Sequence, residues 1–246
     1  MTVIDELEAA ALNAWPAVQQ LLVGGWVCRF AHGFTKRANS LNYLYANEMA
    51  PAKVIARAEA AYLAHGLPFI TRIVERPETT AVDTVLDEWG YQIIDPSLVM
   101  SGPINGFAPP DPFGPAMSVL HLDAWLATSN VCAPTPAATR QKHRSVIERI
   151  IPERLFAALL VEGHPVACGL GVCDGDYFGC FDIVTNPDYR RRGYGAHLLR
   201  HMFAWAKEHG ATTAYLQVMQ HNTNAISLYR RLGFSDAYRY WYRVSL

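Results

Sequence analysis

Apolar residues recur along the chain with two periods, near 3.6 and near 2, and the switches between them mark out short helices and strands. Leu7, Ala10, Leu12 and Trp15 give an opening helix that Pro16 ends. From Gly25 to Ala31, Trp26, Cys28 and Phe30 alternate with Val27, Arg29 and Ala31, which predicts a strand. His32-Gly33 reads as a turn into a second strand over Phe34 to Leu41, making a hairpin. Pro51 opens a helix that runs to Gly66, and a strand follows over Leu67 to Val74. A helix over Thr80 to Trp89 stops at Gly90, and Tyr91 to Met100 is a strand interrupted by Pro96. Five prolines and three glycines crowd the fourteen residues from Gly102 to Pro115, the composition of a linker or crossing loop.

The second half repeats the plan. A strand at Met117 to Leu122 precedes a short helix at Ala124 to Thr128 and another at Ala138 to Ile150. Strands over Leu155 to Glu162, Pro165 to Cys173 and Tyr177 to Thr185 are joined by Glu162-Gly163 and by Asp174-Gly175-Asp176, both hairpin signals. A helix over Gly193 to His209, a strand over Thr213 to Val218, a helix over Thr223 to Leu232 and a strand over Tyr238 to Val244 complete the chain. Ala60-Ala61-Tyr62-Leu63-Ala64-His65-Gly66 begins 144 residues before Ala204-Trp205-Ala206-Lys207-Glu208-His209-Gly210, and Phe34 lies the same distance before Phe178. Each helix is followed by a strand, a helix and a glycine-aromatic pair, Gly90-Tyr91 and Gly233-Phe234. That order predicts two related α+β lobes, residues 1–101 and 116–246, joined by a linker over 102–115.

Composition narrows the function. Twenty-one lysines and arginines against twenty-two acidic residues leave a net charge of −1, so an extended nucleic-acid surface is not expected. Apolar residues make up 51%, enough for a real core and too many for a disordered chain. The longest apolar stretches fall well short of the roughly 20 residues of a membrane span. Asp5, Glu6 and Glu8 stand where a secretory leader would be basic and apolar, so a cytoplasmic protein with no membrane partner is expected. Five cysteines are spaced like no zinc site, and the chain carries neither His-Glu-x-x-His nor Gly-x-Ser-x-Gly. No metal is expected.

The chemistry concentrates in Val184-Thr185-Asn186-Pro187-Asp188-Tyr189-Arg190-Arg191-Arg192-Gly193-Tyr194-Gly195-Ala196. A strand ends, a proline turns the chain, and a helix starts at glycines whose missing side chains let a ligand approach the backbone. Unpaired amides at a helix start, with three arginines beside them, suit a phosphate or pyrophosphate. The spacing is neither a P-loop nor a dinucleotide fingerprint, since Leu198 stands where a third glycine would be. Thirty residues on, Asn224-Ala225 is followed by Leu228-Tyr229 and Gly233-Phe234. With this loop and this second motif, residues 116–246 resemble the GNAT superfamily of acyl-CoA-dependent N-acetyltransferases.

The resemblance implies an α+β (αβα) fold with a mixed central sheet and tandem GNAT-like lobes. It implies acetyl-CoA as co-substrate. Backbone groups of Ile183, Val184 and Thr185 would meet its pantetheine arm, and the segment Arg190, Arg191, Arg192, Gly193, Tyr194, Gly195 and Ala196 would hold its pyrophosphate. Asn224 would bond the cofactor or nearby backbone, and Tyr229 would protonate the departing thiolate. The 144-residue shift places Ala46 to Pro51 opposite the arginine-glycine loop, with no arginine and no glycine, so the first lobe is expected to be a degenerate copy. Residues 26–42 resemble the opening of a fused bacterial GNAT subgroup, some of whose members are described as acetylating amino acids. Arg37, Asn39 and Ser40 are then candidates to line an acceptor cleft, with Arg37 suited to a carboxylate or phosphate. The expected acceptor is the primary amine of a small polar molecule, an amino acid being the specific candidate. A protein amino terminus and a non-catalytic acyl-CoA sensor are the alternatives. The base is left open: Asp182 is on the right strand, though alternation points it away from the cleft, a water chain would serve instead, and Glu162 and His164 are second-tier candidates.

Overall fold

The computed structural model describes residues 2–245. Helix α1 (Val3–Ala14) starts on a capping box in which Thr2 and Asp5 bond each other's backbone amides. Strands β1 (Gln19–Val23) and β2 (Trp26–Phe30) form a hairpin in which Val23 pairs with Trp26. Gly24 and Gly25 both have positive φ, as a two-residue turn of this kind requires, and a Cβ on Gly25 would lie 2.2 Å from the Tyr45 carbonyl oxygen. This tight hairpin precedes the expected one, while β2 also pairs antiparallel with the strand that follows it, Trp26 against Tyr43 and Cys28 against Leu41. The Phe34–Leu41 stretch is instead a loop with a 3-10 turn at Lys36–Ala38, and only Leu41–Tyr43 forms β3.

Helix α2 (Pro51–Ala64), β4 (Ile70–Val74), α3 (Pro77–Glu88) and β5 (Gln92–Pro103) complete the first half. Strand β5 runs two residues into the stretch expected to be linker, whose Phe107 then stacks on Phe203 and Phe234 at 4.2 and 4.9 Å. The second half comprises β6 (Met117–Val119), α4 (Leu122–Cys132), α5 (Ala137–Ile147), β7 (Glu153–Val161), β8 (His164–Asp174) and β9 (Tyr177–Thr185). Helix α6 (Tyr194–Glu208), β10 (Thr213–Met219), α7 (Thr223–Leu232) and β11 (Ser235–Val244) end it. Among the described residues no helix is long and apolar enough to cross a membrane.

All eleven strands join one mixed sheet in the order β1-β2-β3-β4-β11-β5-β10-β9-β8-β7-β6. The two halves repeat strand, helix, strand, helix, strand, with β3 parallel to β4 as β9 is parallel to β10. Each half's last strand has crossed over. Strand β11 pairs antiparallel with β4, and β5 pairs antiparallel with β10 along all seven of its residues, Thr213 to Met219 against Pro103 to Ser97. The two exchanged strands then pair with each other at the centre. Helix α1 crosses over as well: it packs on β8 and β9, with Leu7, Ala11 and Trp15 in one buried cluster with Phe181 and Leu170.

A buried polar knot ties these crossings together. Arg72 on β4 donates from Nη2 to Glu8 Oε1 at 2.8 Å and from Nη1 to Oε2, while the Tyr238 hydroxyl on β11 donates to the same Glu8 carboxylate. The Arg72 guanidinium also lies 4.0 Å from the centre of the Tyr240 ring. Burial by itself would raise the Glu8 pKa, but the Arg72 charge and the donated bonds outweigh it and hold the carboxyl below its ordinary value. Glu8→Gln should therefore leave Arg72 buried without its counter-charge, at a cost of about 3–5 kcal/mol, read from guanidinium unfolding. Because the folded-state pKa is depressed, this contribution is present above the unfolded-state pKa of Glu8 and is lost as pH falls through the folded value. The gap between wild type and variant should close in acid.

Candidate active site

The parallel pairing of β9 with β10 covers only Tyr177–Cys180 against Thr213–Leu216. Beyond that point the strands part, yet each keeps its outer neighbour: β9 stays on β8 out to Thr185, and β10 stays on β5 out to Met219. The opening is thus a gap between two strands each held from outside. A cavity of about 310 Å³ fills it, lined by Cys180, Asp182 and Ile183 of β9, Gln217 of β10, Tyr229 of α7 and Arg37 from the first half. A neighbouring cavity of about 270 Å³ shares Arg37 and Gln217 and extends to the Lys36–Asp95 ion pair (2.8 Å), Ser97 and Tyr240.

Ile183, Val184 and Thr185 lie on the part of β9 that has left β10. Arg190, Arg191 and Arg192 are exposed on the turn that follows. Gly193, at φ 83°, caps α6 without a side chain, a left-handed conformation that glycine adopts without steric penalty. The first backbone bond of the helix is His197 N–H to the Gly193 carbonyl at 3.0 Å; among the described residues no acceptor takes the amides of Arg191 to Ala196. A row of free amides at the positive end of a fifteen-residue helix has the chemistry that suits an anion. Gly195 sets α6 close to the strand end: a Cβ there would meet Thr185 Oγ1 at 3.2 Å.

Tyr229 is half-buried on the inner face of α7, where burial, with the Cys180 thiol adding, pushes its pKa up to about 12. Asn224 is exposed in the first turn of α7 and takes no bond from the loop amides. The cap is made by Asn222, which accepts from Ala225 N–H at 3.2 Å and lines the larger cavity. Asn224 therefore sits at the second helical position, two residues past the cap.

On the opposite wall, Arg37 stands in the 3-10 turn rather than on a strand. Its guanidinium lies over the Trp15 ring at 4.9 Å and over Phe181 at 5.6 Å, and its side chain makes no protein hydrogen bond among the described residues. Buried Arg29 fixes the turn, donating to the Arg37 carbonyl at 2.8 Å and to the carbonyls of Leu12 and Trp15 at the end of α1. Asn39, expected beside an acceptor, is used up locally. Its Oδ1 accepts from Ala31 and Gly33 N–H, and its Nδ2 donates to the Phe34 and Thr35 carbonyls, so all four bonding capacities close the loop. Ser40 is fully buried and bonds Asn42. Of the three polar candidates, Arg37 alone reaches the cavity.

His143 on α5 was not visible as a site residue. Its Nε2 is 2.8 Å from Asp182 Oδ2 across 39 positions of chain. Alternation placed Asp182 on the other face; a bulge in β9 turns it, since Phe181 pairs with Leu170 but Val184 pairs with Cys168. Gln217 and Asn222 were also missed, because a place beside the strand gap is a tertiary property.

Comparison with known proteins identifies the family and the fold. The sequence profile of the family described as "Probable histone acetyltransferase Rv0428c C-terminal" matches residues 2–243. The chain is 28% identical over 246 residues to the uncharacterized N-acetyltransferase YobR of Bacillus subtilis, covering 98% of both chains. Its fold is similar to a GCN5-related N-acetyltransferase from Kribbella flavida, with TM-score 0.71 at 19% identity over 100% of this chain and 96% of the other. It is also similar to a tandem GNAT protein from the clavulanic acid biosynthesis pathway, with TM-score 0.68 at 11% identity over 100% and 88%.

Gly195→Asp would put a side chain against Thr185 and a negative charge among the free amides. Acetyl-CoA affinity by calorimetry should fall at least about tenfold, the effect of losing one charge-assisted contact. A folded variant with unchanged affinity contradicts the pyrophosphate assignment.

Proposed function

The chain belongs to the GNAT superfamily, within the Rv0428c C-terminal acetyltransferase family, and from that premise we propose that it acetylates the primary amine of a small polar molecule held between its two halves. Acetyl-CoA-dependent N-acetyl transfer comes with the family; the acceptor and the residue roles are our reading. The observation that supports it most is a single cavity bounded by Tyr229 and the open half of β9 on one side and by Arg37 on the other.

In this reading the second half holds acetyl-CoA. Free amides at the start of α6 meet the pyrophosphate, and the unpaired edge of β9 around Ile183 meets the pantetheine amides and polarises the thioester carbonyl. The amine attacks that carbonyl, the C–S bond breaks, and the Tyr229 hydroxyl gives its proton to the sulfur. With its pKa pushed up to about 12, Tyr229 keeps this proton across the working pH range. Arg37 serves the acceptor. A guanidinium fixed over two aromatic rings, with its donors free of protein partners, is ready for a carboxylate or phosphate. A cleft of this size, with walls from both halves, fits a compact ligand.

Release of free CoA across a panel of amino acids, polyamines, aminoglycosides and short peptides tests the acceptor class directly. We expect turnover on a small acid-bearing amine; turnover on peptide amino termini with none on small amines contradicts it. Tyr229→Phe should lower kcat about 100-fold and leave acetyl-CoA affinity unchanged, and the wild-type profile should show no alkaline fall from this group below about pH 10. Arg37→Ala should raise KM about tenfold or more for a carboxylate-bearing acceptor and leave KM for its carboxamide analogue nearly unmoved.

A further inference from the structure

Asp182 holds a left-handed backbone, φ 48°, in the middle of a strand. Such a conformation costs a non-glycine residue on the order of 1–3 kcal/mol and persists only where its surroundings enforce it. Here the surroundings are specific. The bulge sets Asp182 and Ile183 against the single residue Gly169, where a Cβ would meet Ile183 Cδ1 at 2.6 Å. Buried Trp125 donates its indole N–H to the Gly169 carbonyl at 3.0 Å. The same Trp125 ring, with Trp15 and Phe34, surrounds His143 at centroid distances of 6.0, 5.8 and 5.2 Å. His143 in turn holds Asp182 Oδ2 at 2.8 Å, and Oδ1 takes no protein partner among the described residues. A bulge, an aromatic cage and an imidazole thus converge on one carboxylate, and that carboxylate lines the same cavity as Tyr229.

We infer that Asp182 takes the proton from the acceptor's ammonium group, and that His143 is the positioning residue that aims it. The inference rests on the transfer reading above. The Asp182 carboxylate accepts one proton from R–NH3⁺, leaving R–NH2, and passes it to solvent. The nitrogen lone pair then forms the C–N bond as the C–S bond breaks. Sulfur takes the Tyr229 proton, and the tetrahedral nitrogen's surplus proton restores the phenol. The products are the amide, CoA thiol and one released proton. The other titratable groups around this carboxylate are Arg37, Cys180, His221 and Tyr229 along the cavity and Cys168 behind β9.

The test compares wild type with Asp182→Asn, His143→Ala and His143→Gln, using L-alanine, L-lysine and spermidine as acceptor probes and CoA release from acetyl-CoA as the signal. Asparagine tolerates left-handed φ, so the first variant keeps its backbone. Asp182→Asn should lose about 100-fold in rate near pH 7, and recover much of it near pH 9, where more of the amine is already free. Calorimetry should show its acetyl-CoA affinity unchanged. His143→Ala should fall in the same direction with the same alkaline displacement, and His143→Gln, which retains a donor near Nε2, should recover most of the rate. Wild-type rate and pH profile in Asp182→Asn, with normal acetyl-CoA binding, overturn the inference alone. No CoA release by wild type with any probe overturns it together with the transfer reading.

Discussion

Hydrogen bonding between β9 and β10 stops at Cys180 and Leu216, and the site's chemistry depends on the strands beyond that point staying apart without fraying. Two parallel strands with free inner edges would ordinarily close on each other or recruit another strand. They do neither here because each is held from outside. Strand β8 holds β9 to Thr185, and β5, borrowed from the first half, holds β10 to Met219. The exchange of terminal strands is therefore more than a topological detail. It lets a strand of the first half stiffen one wall of a gap between two strands of the second.

The same exchange explains why polar side chains are buried along the seam. Glu8 comes from α1, Arg72 from β4 and Tyr238 from β11, so their knot forms only when the opening helix and both halves are in place. Arg29 works one layer nearer the site. It joins the carbonyl end of α1 to the Arg37 turn, where a cation also suits the negative end of the helix dipole. Trp15, on that helix end, is the surface over which the Arg37 guanidinium lies, and it stacks on Phe181 of β9 at 5.7 Å. Register between the halves thus reaches the Arg37 wall of the cavity through one short chain of contacts.

Legibility in the sequence followed the range of the interaction. The β7–β9 meander, α6 with its glycine start, and α7 with its Gly233 stop were readable because turns and caps are set by residues adjacent in sequence. The repeat was readable as an order of elements, though its Phe34–Phe178 match pairs a loop residue with a strand residue. The exchange was not readable, because β5 and β11 both present antiparallel-compatible edges and nothing local says which half either joins. Asn39 and Arg37 looked alike as polar residues in one stretch. Only the folded loop shows that one closes upon itself and the other projects over Trp15. Asp182 defeated the alternation rule through a single extra residue in β9, and His143 entered from a helix 39 residues away.

In the proposed complex acetyl-CoA lies in the gap between β9 and β10, with its pyrophosphate on the start of α6. Amide hydrogen exchange, followed with and without acetyl-CoA, examines it residue by residue. New protection is expected at Arg191 to Ala196 and along Ile183 to Thr185, with little change on β1 to β4. Protection concentrated on the first half, with Arg191 to Ala196 exchanging as fast as before, would contradict it.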